Sequence, residues 1–176
     1  FSICTKGYIG TGFTGSGWLQ DFREWDQATN VWIAKANFSG GLRYLTVGFS
    51  IGTKGYIGTG TDNLGTKYKD FREWDQATNV WTAKADIGLA GTERDGAVGF
   101  SIGTKGYIGT GYNTTPSNLN DFREWDQSTN VWAAKANFSG VARNRAVGFS
   151  IGTKGYIGTG WNSLGTWYKN FYEWCQ

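Results

Sequence analysis

Histidine and methionine are missing altogether, proline occurs once and cysteine twice in the 176 residues. Without an imidazole the chain cannot form a Ser-His-Asp or Cys-His arrangement, a histidine-ligated copper site or a histidine general base. Neither a Cys-x-x-Cys pair nor an acidic calcium loop appears, so no metal and no cofactor is expected. No run of eighteen apolar residues exists, and no basic segment leads into an apolar block at the start. Neither a membrane span nor a retained signal peptide is therefore expected. The missing methionine, even at position 1, fits a processed mature chain or a segment of a longer one. A dominant charge is absent too: 17 lysines and arginines interleave with 14 aspartates and glutamates without a basic run, so nucleic acid is not an expected partner.

What is abundant is glycine, with 28 residues, and aromatic side chains, at 17%. That composition suits many short strands joined by glycine turns, in a chain long enough for a single domain over 1–176. Sliding the sequence against itself aligns Phe1, Phe49, Phe100 and Phe149, which divides it into modules 1–48, 49–99, 100–148 and 149–176. The run F-S-I-G-T-K-G-Y-I-G-T-G starts unchanged at Phe49, Phe100 and Phe149, and at Phe1 it differs only by Cys4. A second run, D-F-R-E-W-D-Q, starts at Asp21, Asp70 and Asp121 and returns as N-F-Y-E-W-C-Q at Asn170. A period near fifty residues belongs to propeller blades.

Each module reads as four strands: an apolar run ending in V-G-F-S-I, then G-Y-I-G-T, then F-R-E-W, then V-W-x-A-K-A. A tight G-T-K-G turn joins the first two, and D-Q-A-T-N, rich in side chains that bond their own backbone, joins the last two. A symmetric hairpin there sets Trp25 opposite Trp32, Trp74 opposite Trp81 and Trp125 opposite Trp132, pairs worth about 0.5–1.5 kcal/mol each beyond their burial. With six residues between those tryptophans, the module resembles the kelch repeat, in which a tyrosine and a tryptophan stand at that spacing after an apolar strand and a glycine pair. Trp25 takes the tyrosine's place, and G-T-G, as at Gly58–Gly60, replaces adjacent glycines, so the turn there is expected to differ. The resemblance implies an all-β fold, a small β-propeller of about four four-stranded antiparallel blades. Some kelch-type propellers are copper oxidases, but the missing histidine argues against such a site here.

A ring closed within one chain is the expectation, with an arc completed by a second copy, a homo-oligomer, as the alternative. Cys4 stands where Gly52, Gly103 and Gly152 stand, and Cys175 where Asp26, Asp75 and Asp126 stand. Strand alternation puts both on one face, so a disulfide between them would staple first blade to last and contribute about 4–5 kcal/mol. Such a closure resembles that of four-bladed hemopexin-type propellers and implies a secreted, extracellular protein. Free thiols or a bridge between chains are the other readings.

Comparison among modules separates fixed turns from variable loops, and the variable loops should share the face opposite the turns. Candidate ligand-binding residues there are the aromatics Phe13, Trp18, Tyr68, Tyr112, Trp161 and Trp167, which stack on sugars, anchor a protein or cover blade ends. Arg43, Arg94 and Arg143 align at the entrance to each inner strand, with Glu93, Asp95, Asn144 and Arg145 nearby. They form either an anion-binding ring or a set of structural bonds. Glu24, Glu73, Glu124 and Glu173 recur too regularly for catalysis and read as ion-pair partners. The expected function is non-catalytic: a protein-interaction or scaffold module, with a lectin-like carbohydrate binder or a self-assembling structural protein as alternatives.

Overall fold

The computed structural model describes residues 1–115 and 117–175, for Cys175 the backbone alone. Every regular element among them is a strand. The first blade holds β1 (Ser2–Ile3), β2 (Lys6–Phe13), β3 (Trp18–Asp26) and β4 (Val31–Lys35); the second holds β5 (Val47–Ile51), β6 (Lys54–Gly58), β7 (Phe71–Asp75) and β8 (Val80–Lys84). The third opens with the short β9 (Arg94–Asp95), then β10 (Val98–Ile102), β11 (Lys105–Gly109), the short β12 (Tyr112–Asn113), β13 (Phe122–Asp126) and β14 (Val131–Lys135). The fourth holds β15 (Val147–Ile151), β16 (Lys154–Gly158) and β17 (Phe171–Cys175).

Within each blade consecutive main strands pair antiparallel, in a β-propeller arrangement, the fourth blade with three strands among the described residues. The tryptophans meet as their spacing requires: Trp25 opposes Trp32, Trp74 opposes Trp81 and Trp125 opposes Trp132. The D-Q-A-T-N turn is closed by its own side chains. Asp75 Oδ1 accepts from the Ala77 amide at 2.9 Å, and Asn79 takes a left-handed φ of 58°. The recurring glutamates are structural, since Lys35, Lys84 and Lys135 pair with Glu24, Glu73 and Glu124.

Blades meet through one interlock, repeated at three junctions. Phe1 lies against Gly48 and Gly55 of the second blade, Phe49 against Gly99 and Gly106 of the third, and Phe100 against Gly148 and Gly155 of the fourth. A Cβ at Gly106 would sit 2.5 Å from Phe49 Cζ, so only glycine admits the ring. Around it, Val47, Ile51, Tyr56 and Phe71 of the second blade bury against Ile108 and Trp125 of the third. The equivalent sets form at the other two junctions. Polar bonds repeat as well: Gln76 Nε2 donates to the Tyr8 hydroxyl and Gln127 Nε2 to that of Tyr56, each at 2.7 Å. Trp81 Nε1 donates to the Ala36 carbonyl and Trp132 Nε1 to that of Ala85, each at 2.9 Å.

The interlock does not recur between the fourth blade and the first, which corrects the expectation of a ring closed within one chain. Phe149 is 42% exposed where Phe49 is 4%, and Phe171 is 54% exposed where Phe71 is 1%. On the facing side Ile9 is 61% exposed, against 3% for Ile57, and Trp32 is 51% exposed. A Cβ at Gly7 would meet only Trp25, at 3.5 Å. The reason is geometric: each Trp pair packs on the preceding blade, and among the described residues no blade packs on the first pair. Cys4 is exposed and forms no disulfide among the described residues, and the Cys175 side chain that was expected to bond with it lies outside them.

The G-T-G turn has one backbone shape in all four blades. Thr11, Thr59, Thr110 and Thr159 all take left-handed φ values, 58–61°, which a β-branched residue adopts only under strain. The Thr110 hydroxyl is also buried without a hydrogen-bond partner. Replacing Thr110 by glycine should therefore stabilise the fold by about 1 kcal/mol, read as a higher urea midpoint at unchanged slope. A lower midpoint would show that the turn is not strained.

Candidate functional site

The variable loops gather on one face, because short antiparallel bridges tie the loop after each second strand to the loop before each first strand. Tyr44 bridges Thr61, Tyr112 pairs with Asp95 and Asn144 bridges Trp161. A second row of backbone bonds crosses from blade to blade. The Gly96 amide donates to the Leu45 carbonyl at 3.1 Å, and the Arg145 amide donates to the Gly96 carbonyl at 2.7 Å. Leu45, Gly96 and Arg145 share a left-handed φ of 53–58°.

Two cavities open beside this ladder, of about 400 Å³ and 530 Å³, and they share Lys67, Asp95 and Arg145. Together they form a groove that runs from Trp18, Tyr44 and Asp62 at one end to Tyr112, Asn144 and Trp161 at the other. Its charges are mixed and mostly paired. Lys67 bonds Asp95 across two blades and lies 5.1 Å above the Tyr112 ring. The exposed Arg145 guanidinium stands 5.9 Å from the Trp161 ring centroid. Burial pushes the Asp62 carboxyl up, but the Tyr68 hydroxyl and the amides of Thr66 and Leu64 bond it, and the balance holds it below the usual carboxylate range.

The groove lining also carries unpaired polar atoms. Trp18 Nε1, Thr61 Oγ1, Asn144 Oδ1 and Trp161 Nε1 are buried without a hydrogen-bond partner among the described residues. The blade tryptophans differ: Trp25, Trp74 and Trp125 donate to Asn30, Asn79 and Asn130 at 3.1–3.2 Å, and Trp81 and Trp132 to backbone carbonyls. An unmade bond of this kind costs about 1–3 kcal/mol, so it is expected where a ligand or water completes it.

Of the aromatics singled out by sequence, Trp18, Tyr112 and Trp161 line the groove. Phe13 and Trp167 flank it, packed on Trp18 at 4.8 Å and on Trp161 at 5.9 Å. Tyr68 instead caps a buried cation, its ring centroid 3.6 Å from the Arg43 guanidinium. The three arginines do not form an anion-binding ring. Each is fully buried, clamping a left-handed threonine carbonyl and the residue just before the third strand. Arg43 reaches Thr59 O and Asp70, Arg94 reaches Thr110 O and Asp121, and Arg143 reaches Thr159 O and Asn170, all at 2.6–3.0 Å. Tyr44, Asp62 and Lys67 were not singled out in the sequence. The clue lay in the position after each arginine, which reads Tyr44, Asp95 and Asn144 in an otherwise uniform repeat.

No protein-family model and no curated protein matches the chain.

The buried clamp yields a pH prediction. Burial raises the Asp121 carboxyl, but the bond and charge of Arg94, with Arg123 behind it, outweigh burial and hold it below the usual range. A depressed folded pKa means stability that is complete above the unfolded value of about 3.9 and lost as pH falls through the folded value. Urea titrations should show the midpoint falling below about pH 4, with a smaller fall in Asp121→Asn. Arg94→Met should lower stability by about 3 kcal/mol at neutral pH; a change near zero would contradict the clamp.

Proposed function

We propose that this chain is a non-catalytic binding module of kelch-like construction, whose loop-face groove receives an extended protein segment. The observation that carries the reading is where the repeat breaks. Turn-face residues recur almost unchanged, whereas the groove positions hold Tyr44, Asp95 and Asn144 in one column, Thr61, Tyr112 and Trp161 in another, and Leu45, Gly96 and Arg145 in a third. Sequence variation at every column that lines a concave surface, on a scaffold that repeats, favours recognition over packing.

A protein ligand is favoured by the rim. Leu64 and Leu164 stand almost fully exposed at the tips of equivalent loops, next to aromatic side chains that supply flat, rigid contact area. Lys67 and Arg145 interspersed with Asp62 and Asp95 suit a segment carrying both charges. The absence of histidine and the regularity of the strand glutamates support the non-catalytic half of the reading. An oxidising, extracellular setting completes it, the compartment in which a bond between the two cysteines would persist.

One observation favours a glycan instead: the unpaired indole donors of Trp18 and Trp161 lie beside Asp and Asn side chains in an aromatic groove, a combination suited to hydroxyl-rich rings. Selection from a displayed peptide library, run beside a glycan array, separates the two. The protein reading expects selected peptides whose affinity drops at least about tenfold in both Arg145→Glu and Trp161→Ala, with a blank glycan array. A specific glycan signal abolished by Trp161→Ala would replace it with the carbohydrate reading. Binders indifferent to both substitutions would place recognition elsewhere and overturn both.

A further inference from the structure

The two bare end faces are the two halves of a contact that the chain already makes three times. The fourth blade presents Val147, Phe149, Ile151 and Phe171, the same side chains that in the second and third blades are buried by a neighbour. The first blade presents Gly7, Ile9, Trp25 and Trp32, in the positions through which the second and third blades pack on the blade before them. Neither face resembles itself, so two fourth blades or two first blades would set phenylalanine against phenylalanine, or tryptophan against tryptophan. The match is between unlike ends, in one orientation.

We infer that the first blade of one copy of this chain docks on the fourth blade of another, head to tail, with the Phe149 ring seated over Gly7. The fit is given by the internal junctions: Phe1 seats on Gly55, Phe49 on Gly106 and Phe100 on Gly155, while Gly7 keeps its slot open. Apolar area left bare at both ends supplies the driving force, and the internal bonds show how the polar groups align. Gln76 and Gln127 donate to the Tyr8 and Tyr56 hydroxyls of the preceding blade at 2.7 Å, and Gln27 of the first blade and Tyr156 of the fourth stand in the same two places. A head-to-tail contact of this kind is heterologous: it closes into a ring or propagates, according to the rotation between copies.

The cysteines add a second, independent observation. They interrupt the repeat only in the blades that carry the bare faces, and both fall on the turn face. Cys4 lies in the turn from β1 to β2, and Cys175, opposite Lys154, closes the strand beside the turn from β15 to β16. Docking brings the turn face of one copy's fourth blade beside that of the next copy's first blade. A Cys175–Cys4 bond between copies would lock that junction, in place of the intrachain staple.

Sedimentation velocity over a concentration series tests this, with nonreducing mass spectrometry of tryptic peptides. The wild-type chain is expected to self-associate reversibly when reduced. With glutathione disulfide added to take up the two electrons and two protons as two reduced thiols, it is expected to carry Cys4 linked to Cys175 of another copy. Gly7→Val fills the slot but touches only Trp25 in the isolated chain, so it should leave the melting temperature in place and weaken association at least tenfold. Phe149→Asp removes the opposite half. Each variant keeps one good end, so an equimolar mixture of the two should form a one-to-one dimer and nothing larger. Gly106→Val, at an occupied slot, should instead lower the melting temperature. A wild-type chain that stays monomeric at every concentration overturns the proposal and leaves the end faces to a different occupant. So does a Cys4–Cys175 bond within one chain, or a Gly7→Val chain that associates like wild type. Association that depends on Arg145 or Trp161 rather than Gly7 assigns the contact to the loop face and overturns it too. Ligand binding in the groove is read separately, so loss of either conclusion leaves the other intact.

Discussion

Everything in this fold depends on how closely two neighbouring sheets approach at one spot, where a phenylalanine ring from one blade occupies the space that two side chains of the next would need. Gly99 and Gly106 leave that space for Phe49, and the same exchange happens at the junctions on either side. With the ring seated, the tryptophan of the next third strand reaches the tyrosine and phenylalanine of the blade before it. Trp125 lies 5.0 Å from the Tyr56 ring and 5.1 Å from Phe71. Aromatic edges and faces then meet at favourable angles, and the tyrosine hydroxyl, already bonded to its own glutamate, accepts from a glutamine across the junction. A contact of this kind can be stacked without change, which is why the sequence can repeat so closely.

Stacking identical units fixes the turn face and the inner strands but says nothing about the loops that leave the opposite end. Those loops are held at their bases by the buried arginines, each spanning the strained threonine turn and the start of the third strand. Beyond that clamp the side chains are free to differ, and they do. The result is a rigid base carrying a non-repeating surface, with indole donors and an asparagine carbonyl in the groove that find no bond among the described residues. Among the described residues no helix is long and apolar enough to cross a membrane, and no group of three or more acidic or cysteine side chains is placed to hold a metal ion.

Architecture was more legible than site. The strands, their pairing and the facing tryptophans follow from a two-residue period, turn chemistry and six-residue spacing, all local features. The arc's gap was not legible, since Phe149 reads like Phe49 and only the absence of a next blade distinguishes them. The arginines were misleading for a related reason: alignment at a mouth looks the same whether the guanidinium points out or in, and burial decides. Trp18, Tyr112 and Trp161 were found because large aromatics in variable loops are conspicuous. Tyr44 and Lys67 were missed because their place in the groove depends on which loops the backbone bridges bring together.

The central claim, that one interlock builds the arc and stops between the fourth blade and the first, can be read residue by residue from hydroxyl-radical footprinting of a dilute sample. The account predicts ready oxidation of Phe149, Phe171 and Trp32, with Phe49, Phe71 and Trp125 protected. Equal protection of these two sets would mean that the chain closes on itself, and equal oxidation that the blades do not interlock; either result would contradict the account.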